Sequence, residues 1–353
     1  MKKIIFYYKS MNRFGGVERV IANTVNALSP FYDITILTKD STLTNFYIES
    51  KVKIDTLHVM EENSKNRSIK NILRSRKNLK KYFLNHDFDY IYTATIIESL
   101  EVYLCGKKYT KKLVATEHGS FYASNAIYNK IKSIIFPKIH CLIAFTTMDT
   151  EQYKKLGYPV VYIPHLINNK YSDTVLEKEK IILNVGRLTH DKQQKLLIKM
   201  WKELCDENKI NDWSLYIIGS GELKSELKKY IKDINAYNIK MIDATPKIEE
   251  YYKKGSIFAF TSKMEGFGMV LTEAMSYGNP CISFDCPSGP RDIIINGRNG
   301  FLIPCYNTEE YKKMLYELMN DKEKRYEMGV EAIKTIRNWN NDKIIMLFRK
   351  VFN

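Results

Sequence analysis

The chain alternates short runs rich in β-branched and aromatic residues with longer stretches of helical periodicity. In the first half the apolar runs are Lys3–Tyr8, Ile34–Thr38, Lys53–Leu57, Tyr90–Thr93, Lys112–Thr116, Cys141–Phe145 and Val160–Ile163. Each is short and bounded by polar or turn-forming residues, which predicts strands. Helical patterns lie between them near Val17–Ser29, Ser68–Leu84, Ser124–Phe136 and Met148–Leu156. The pattern loosens over 164–177. It restarts with strands at Ile181–Val185, Leu215–Ile218, Ile239–Ile242, Ile257–Phe260, Pro280–Phe284 and Phe301–Ile303. From about Thr308 only helical patterns remain. Such alternation predicts βαβ units and parallel sheets. The expected fold class is α/β, with doubly wound domains over 1–165 and 166–340. A last helix over 341–353 is a candidate to pack back on the first domain.

Composition narrows the class. A chain of 353 residues is long enough for two full cores without a disulfide or metal staple. Hydrophobic residues are 44% and charged residues 27%, which excludes wholesale disorder. No apolar run reaches the roughly 18 residues that a membrane span needs. The apolar run behind Lys2 and Lys3 is too short for a signal peptide. The cysteines at 105, 141, 205, 281, 286 and 305 are mostly far apart, which fits a reducing cytoplasm rather than a disulfide framework.

Charge adds a partner. The net charge is +15. Residues 1–175 hold 26 basic and 15 acidic side chains, and the remainder holds 29 and 25. A basic first half calls for an anionic partner: nucleic acid, an anionic membrane or a phosphorylated substrate. Residues 65–81 carry eight Lys or Arg and no acid, with Ile69, Ile72, Leu73, Leu79 and Phe83 near one helical face. Two readings fit: a helix lying on anionic lipid through Arg74, Arg76, Lys77 and Lys80, or a core-facing helix with a solvated basic face.

Three motifs carry chemistry. Phe14-Gly15-Gly16-Val17-Glu18-Arg19 follows the first strand and opens the first helix. Its glycines permit positive φ and close backbone approach to a ligand at a helix N-terminus, or form a plain tight turn. It is not the dinucleotide fingerprint. Asn184-Val185-Gly186-Arg187 ends a strand, and Lys192 opens the next helix. Arg as a fork and Lys as a point charge suit a diphosphate. Glu265-Gly266-Phe267-Gly268-Met269-Val270-Leu271-Thr272-Glu273 places one carboxylate in a loop and a second a little further along the helix that follows. The first-turn N–H groups hold oxygens, and a carboxylate accepts both hydrogens of a vicinal diol.

The last segment resembles the E-x7-E motif of the retaining nucleotide-sugar glycosyltransferases of family 4, the group 1 transferases. Gly15-Gly16-Val17-Glu18, Asn184 to Arg187 with Lys192, and Ile218-Gly219-Ser220-Gly221-Glu222 fall where that family has its motifs. The resemblance runs from about residue 3 to 340. Ser283 to Pro290 is most similar to bacterial transferases of capsule, exopolysaccharide and lipopolysaccharide assembly. The resemblance implies the GT-B architecture, two Rossmann-like domains facing a central cleft. It implies a hexose or N-acetylhexosamine donor such as UDP-Gal, UDP-GalNAc, UDP-Glc or UDP-GlcNAc. With the basic first half, it leads to the expectation of a lipid-linked or surface-polysaccharide acceptor and of a cytoplasmic enzyme peripheral on the inner membrane face. No cofactor or metal is implied.

Carried over by position, the resemblance implies that Arg187 and Lys192 hold the diphosphate, Glu265 the donor sugar and Glu273 the ribose. It implies likewise that the N–H groups of Phe267 to Val270, within Gly266 to Val270, meet sugar or phosphate and that Gly16, beside Gly15, approaches the diphosphate. His118 falls where the family has a histidine close to the reacting sugar, although a lone histidine after a strand is often structural. Two departures stand out. The usual Lys-Gly is Lys192-Gln193, which is expected to alter the turn and keep the cation. The loop after Ile239–Ile242 reads Asp243-Ala244-Thr245-Pro246, without the glycine common there. Asp87-Phe88-Asp89 reads as a loop edge rather than a metal site. Two other classes compete: a basic nucleic-acid binder, disfavoured because the motifs sit at strand ends in both halves, and a GT-B sugar-nucleotide epimerase, disfavoured by the intact E-x7-E with Arg187 and Lys192.

Overall fold

In the computed structural model the described residues are 1–13, 15–59, 69–167, 172–175 and 177–353. They divide into two compact units, residues 1–166 with 341–353, and residues 167–340. The first unit contains β1 (Lys3–Tyr7), α1 (Gly16–Leu28), β2 (Asp33–Thr38), β3 (Lys53–Thr56), α2 (Ile69–Asn85), β4 (Tyr90–Thr93), α3 (Ile96–Cys105), α4 (Lys107–Thr110), β5 (Leu113–Glu117), α5 (Ala126–Ile135), β6 (Cys141–Ala144), α6 (Thr147–Lys155) and β7 (Val160–Tyr162). The second contains β8 (Ile181–Val185), α7 (Gln194–Asn208), β9 (Ser214–Ile218), α8 (Lys224–Asp233), β10 (Ile239–Ile242), α9 (Ile248–Lys254), β11 (Ile257–Phe260), α10 (Met269–Ser276), β12 (Cys281–Phe284), α11 (Pro290–Ile293), β13 (Gly300–Ile303), α12 (Thr308–Asn320) and α13 (Lys322–Arg337). The last helix, α14 (Asn341–Val351), belongs to the first unit.

Both sheets are wholly parallel. Their orders are β3-β2-β1-β4-β5-β6-β7 and β10-β9-β8-β11-β12-β13. A parallel sheet covered on both faces needs strands apolar on both sides. Leu113–Ala115 and Ile257–Phe260 meet that demand, and all are fully buried or nearly so. Strand order reverses between β1 and β4 in one unit and between β8 and β11 in the other. The crevice at the carboxyl ends of such neighbours is where doubly wound folds bind ligands. Trp201 and Tyr311 anchor the core beneath that edge in the second unit, and each polar tip is satisfied. Trp201 Nε1 donates to the Tyr237 carbonyl at 3.0 Å and the Tyr311 hydroxyl to that of Ile282 at 3.1 Å. In the first unit the end of α14 and the residues after it pack beside the amino ends of β2, β4 and β6. Phe352 packs edge-on against Tyr32 and Tyr90, and His140 Nε2 meets the Val351 carbonyl at 2.9 Å.

The basic helix needs correction. Leu79 and Phe83 of α2 are buried and face α3, an element absent from the sequence expectation. Leu73 is 51% exposed, as is Leu84 at 64%, so neither joins that buried face. Arg76 is half-buried, and its Nε donates to the Leu104 carbonyl at 2.8 Å, so it is a packing residue. Arg74, Lys77 and Lys80 are exposed. The start of the basic stretch, Lys65 and Arg67, lies outside the described residues. Asp89 Oδ2 accepts from the Lys3 backbone N–H at 2.8 Å, beside β1 and β4.

Candidate active site

The second unit assembles its motif residues at the switch point. β8 delivers Arg187 and β11 delivers Glu265, each just past the strand's carboxyl end. Three contacts stitch the two loops together. The Lys263 backbone N–H donates to the Asp191 carbonyl at 2.7 Å, and the buried Thr261 hydroxyl to that of Lys192 at 3.0 Å. Lys192 Nζ then meets Glu265 Oε1 at 2.5 Å, with both side chains mostly shielded. Sequence reasoning assigned these two residues separately, to phosphate and to sugar; the structure pairs them with each other. Arg187 is exposed and makes no ion pair among the described residues. Its carbonyl accepts from Gln194 Nε2 at 3.0 Å, which ties the Arg187 loop to the start of α7.

Glu265 is held from behind, where its N–H reaches the Pro287 carbonyl at 3.3 Å. Gly268 caps α10 at φ 93°, a left-handed conformation that suits glycine. Phe267 is buried and packs edge-on against Trp339, so its side chain anchors the loop while the α10 N-terminus presents backbone N–H groups from Gly268 to Val270. Glu273 lies on α10, where its Oε2 accepts the Tyr252 hydroxyl at 3.0 Å. Gly219 brings the β9 loop against the β8 loop: a Cβ there would sit 1.9 Å from the Gly186 carbonyl oxygen. Beyond it, Ser220 Oγ accepts from the Ala244 N–H, so the departing Asp243–Pro246 loop is docked on the same edge.

Gln193 stands at the position where the sequence departs from the family's glycine. Gln193 itself adopts φ 53° and ψ 35°, the left-handed conformation. The turn is fixed by the Thr261 bond to the Lys192 carbonyl, so the side chain accepts the strain.

The first unit's edge is built differently. Gly15 has φ −131° and Gly16 starts the helix, so the expected positive φ is not found. A Cβ on Gly15 would lie 2.2 Å from Glu18 Oε2, so the missing side chain makes room for the chain's own carboxylate. Around Gly16 there is open space. Phe14 lies outside the described residues. Nearby, Lys39 is buried between two carboxylates of α3, 3.2 Å from Glu98 and 2.8 Å from Glu101. Tyr7 donates to Glu101 at 2.7 Å. Burial pushes Glu101 above the usual carboxylate range, with Lys39 opposing.

His118 follows β5, next to the Glu117–Lys132 pair at 2.6 Å. Its ring lies 4.8 Å from Phe145, and His165 stacks on Phe145 at 3.9 Å. Burial lowers His118 to about 3 and holds His165 well below the usual imidazole range, with the neighbouring His118 adding to it. Both rings are therefore neutral at pH 7.

Two family models cover nearly the whole chain: "Glycosyltransferase Family 4" matches residues 14–170 and "Glycosyl transferases group 1" matches residues 168–335. The chain is a group 1 glycosyltransferase. This glycosyltransferase is 26% identical to the amylovoran biosynthesis glycosyltransferase AmsD of Erwinia amylovora, over 100% of both chains. It is 23% identical to a Campylobacter jejuni enzyme over 93% of this chain and 92% of the other; that relative is a GalNAc-α-(1→4)-GalNAc-α-(1→3)-diNAcBac-PP-undecaprenol α-1,4-N-acetyl-D-galactosaminyltransferase. Its fold matches that of a Staphylococcus aureus TarM mutant in complex with Fondaparinux, α-GlcNAc-glycerol and UDP, with a TM-score of 0.82 at 15% identity over 100% of both chains. The fold class is thus GT-B, two parallel-sheet Rossmann-like domains.

Sequence reasoning on the glycosyltransferase missed His165, Tyr252 and Gln194. His165 and Tyr252 act through partners outside their own segments, Phe145 and Glu273, so no local motif announces them, and Gln194 acts on the Arg187 loop through a backbone carbonyl that carries no sequence signal. A histidine after a proline in a loosening segment was the one available signal for His165.

Proposed function

We propose that this glycosyltransferase is a retaining enzyme that moves a hexose or N-acetylhexosamine from a UDP-sugar to a lipid-linked saccharide, without a metal. The observation that carries the reading is the Lys192–Glu265 pair beside exposed Arg187 at the β8/β11 switch point. An arriving diphosphate offers Lys192 a doubly charged partner and releases Glu265 to accept a sugar hydroxyl. Arg187 and Lys192 then stabilise the charge that grows on the leaving diphosphate, the role a metal plays elsewhere. The α10 N-terminus adds its dipole and N–H groups. Glu273, steadied by Tyr252, accepts the ribose hydroxyls. UDP bound to TarM and the undecaprenol-linked acceptor of the Campylobacter relative support this choice of donor and acceptor.

We further read the outer face of α2 as a membrane contact at the cytoplasmic surface. Leu73, Lys77, Lys80 and Leu84 recur at helical spacing on it, with Arg74 alongside. No helix of the described residues is long and apolar enough to cross a membrane. Each Lys or Arg near an anionic surface adds about 1 kcal/mol, so Arg74, Lys77 and Lys80 changed together to Gln should weaken vesicle binding on the order of a hundredfold. Binding indifferent to salt and lipid charge removes this part of the reading.

The deciding experiment is a thermal-shift panel of nucleotide sugars followed by transfer with EDTA present. A donor at a hundred times its Kd stabilises by about 2.7 kcal/mol. The anomeric configuration of the product, read by NMR, must match that of the donor. Isomerised sugar nucleotide without any acceptor overturns the transferase reading in favour of an epimerase.

A further inference from the structure

The first unit's sheet turns polar on a face that a helix covers. A parallel sheet buried under helices is apolar on the covered face. Here α2 meets that demand only in part, packing Leu79 and Phe83 against Ile5, Tyr7, Leu37 and Leu57 of β1, β2 and the end of β3. Side chains alternate along a strand, and the register pairs Ile5 with Thr35, Thr35 with Lys53, and Leu37 with Asp55. The same face therefore carries Thr35, Lys53 and Asp55, and ends at Lys3 and its partner Asp33. The last turn of α2, with Asp87 and Phe88 beyond it, stands over these positions and encloses a cavity of about 540 Å³. Gly15 and Gly16 follow the other, carboxyl end of β1, whose five residues span roughly 16 Å.

The cavity walls are held by their own bonds. Tyr82 and His86 stack at 4.0 Å with 13° between their planes. His86 Nδ1 donates to the Tyr82 carbonyl at 3.0 Å, which turns the ring back onto the helix end. The Tyr82 hydroxyl hydrogen-bonds to Asp55, and burial followed by that carboxylate raises it above its usual range. Asp55 Oδ1 accepts the Thr56 N–H at 2.7 Å. On the floor Lys53 lies 3.7 Å from Asp33.

The lining selects its ligand by chemistry. Lys3 and Lys53 stand against Asp33, Asp55 and Asp87, so there is no excess of positive charge to hold a diphosphate or an anionic headgroup. The polar floor is equally unsuited to a lipid tail. Donors and acceptors alternate over an apolar base of Ile5 and Phe88, beside a stacked aromatic wall. That arrangement fits a molecule with hydroxyls at its edges and C–H groups on its faces, which describes a sugar ring. Cavities of this size enclose drug-sized ligands, equivalent here to about two sugar rings.

We propose that this cleft at the amino ends of β1, β2 and β3 is a second saccharide site, which holds a neutral stretch of the acceptor chain away from the edge where transfer occurs. Its use by the acceptor rests on the saccharide acceptor proposed above; the binding of saccharide to the cleft does not.

The test is ligand-observed saturation-transfer NMR of the full chain. The probes are neutral di- and trisaccharides of glucose, galactose, N-acetylglucosamine and N-acetylgalactosamine, without any donor. At about 10 mM probe, a site with a Kd of about 1 mM is mostly filled, and at least one probe should bind. Thr35→Val keeps the β-branched shape and removes the floor hydroxyl. It should raise the Kd about two- to tenfold, the range for one neutral hydrogen bond. His86→Ala removes the exposed half of the aromatic wall and should weaken binding at least as much. Melting transitions show whether each variant folds, and either one alone decides the question. UDP, titrated by calorimetry, should bind all three proteins alike. Failure of every saccharide to bind overturns the proposal, as does binding that both variants leave unchanged, or a variant-sensitive site that prefers pyrophosphate. Saccharide binding that responds to the variants in a protein that does not bind UDP upholds the cleft and overturns the donor proposed above.

Discussion

The two units share one fold and treat charge in opposite ways at the same sheet edge. In the second, the edge carries Arg187 and Lys192, the latter paired with Glu265. In the first, the corresponding edge buries Glu98 and Glu101 around Lys39, buries Glu18 against the Tyr8 hydroxyl and keeps His118 neutral. Yet the first half of the sequence is the more basic one. Its excess cations are on outer helical surfaces such as α2, not at the switch point. Net charge by sequence half therefore reports surfaces, while the chemistry of a site depends on which few side chains the strand ends deliver.

The comparison breaks most easily at Lys39. Lys39→Met leaves two carboxylates buried without their cation. Removing one partner of a buried pair costs about 3–5 kcal/mol, so chemical denaturation should show a loss of that size. Adding Glu98→Gln and Glu101→Gln should recover much of it, because the uncompensated charge is gone. A Lys39→Met protein as stable as wild type would mean that the acidic edge is solvated and that the contrast between the units is false.

At the other edge the same kind of loss appears in rate. Arg187→Ala or Lys192→Ala should lower kcat by about 10²–10³, the usual effect of removing one donor to developing charge. Lys192→Ala also leaves Glu265 without its partner, so it should lower the melting temperature more than Arg187→Ala does. Near-normal transfer by either variant removes that residue from the diphosphate site.

The strands and the cation-bearing motifs were readable because each is local. Ile181–Val185 and Ile257–Phe260 are bounded as expected, and a parallel strand buried on both faces declares itself as a short apolar run. Glu265 and Glu273 were readable because eight positions along one chain fix them on one loop and helix. What escaped was built by neighbours distant in sequence. Helix α3 was missed because its buried carboxylates, Glu98 and Glu101, break the apolar pattern and make sense only beside Lys39. The Lys192–Glu265 pair spans loops that meet only at the switch point. Arg76 reads as a surface cation until α3 is placed beside it.

The two glutamates test whether the second edge divides its labour. Glu273→Gln should weaken both the nucleotide diphosphate and the intact donor, since ribose belongs to both. Glu265→Gln should weaken the donor and spare the diphosphate; freeing Lys192 even favours the latter. A hydrogen bond to a charged acceptor is worth roughly 1.5–3 kcal/mol, or about a tenfold to a hundredfold change in Kd by calorimetric titration. Equal losses of diphosphate affinity in both variants would show that Glu265 does not read the sugar.

The smallest effect sharpens the comparison at the backbone. Gln193 and Gly268 both adopt left-handed conformations at the second edge, at φ 53° and φ 93°, but only one of them is glycine. A left-handed L-residue carries about 1–2 kcal/mol of steric cost. Glycine removes it and returns roughly 0.5–1 kcal/mol as extra freedom of the unfolded chain. Gln193→Gly should therefore stabilise by up to about 1 kcal/mol and raise Tm by about 2–4 °C at most. Gly268→Ala should do the reverse, because its new Cβ would also meet Leu271 Cδ1 at 3.1 Å. Transfer should survive Gln193→Gly, since the Lys192 carbonyl stays tied to Thr261. A fall in Tm instead would mean that the Gln193 side chain earns its strained backbone through contacts of its own, and that Lys192 is held by that side chain as well as by the turn.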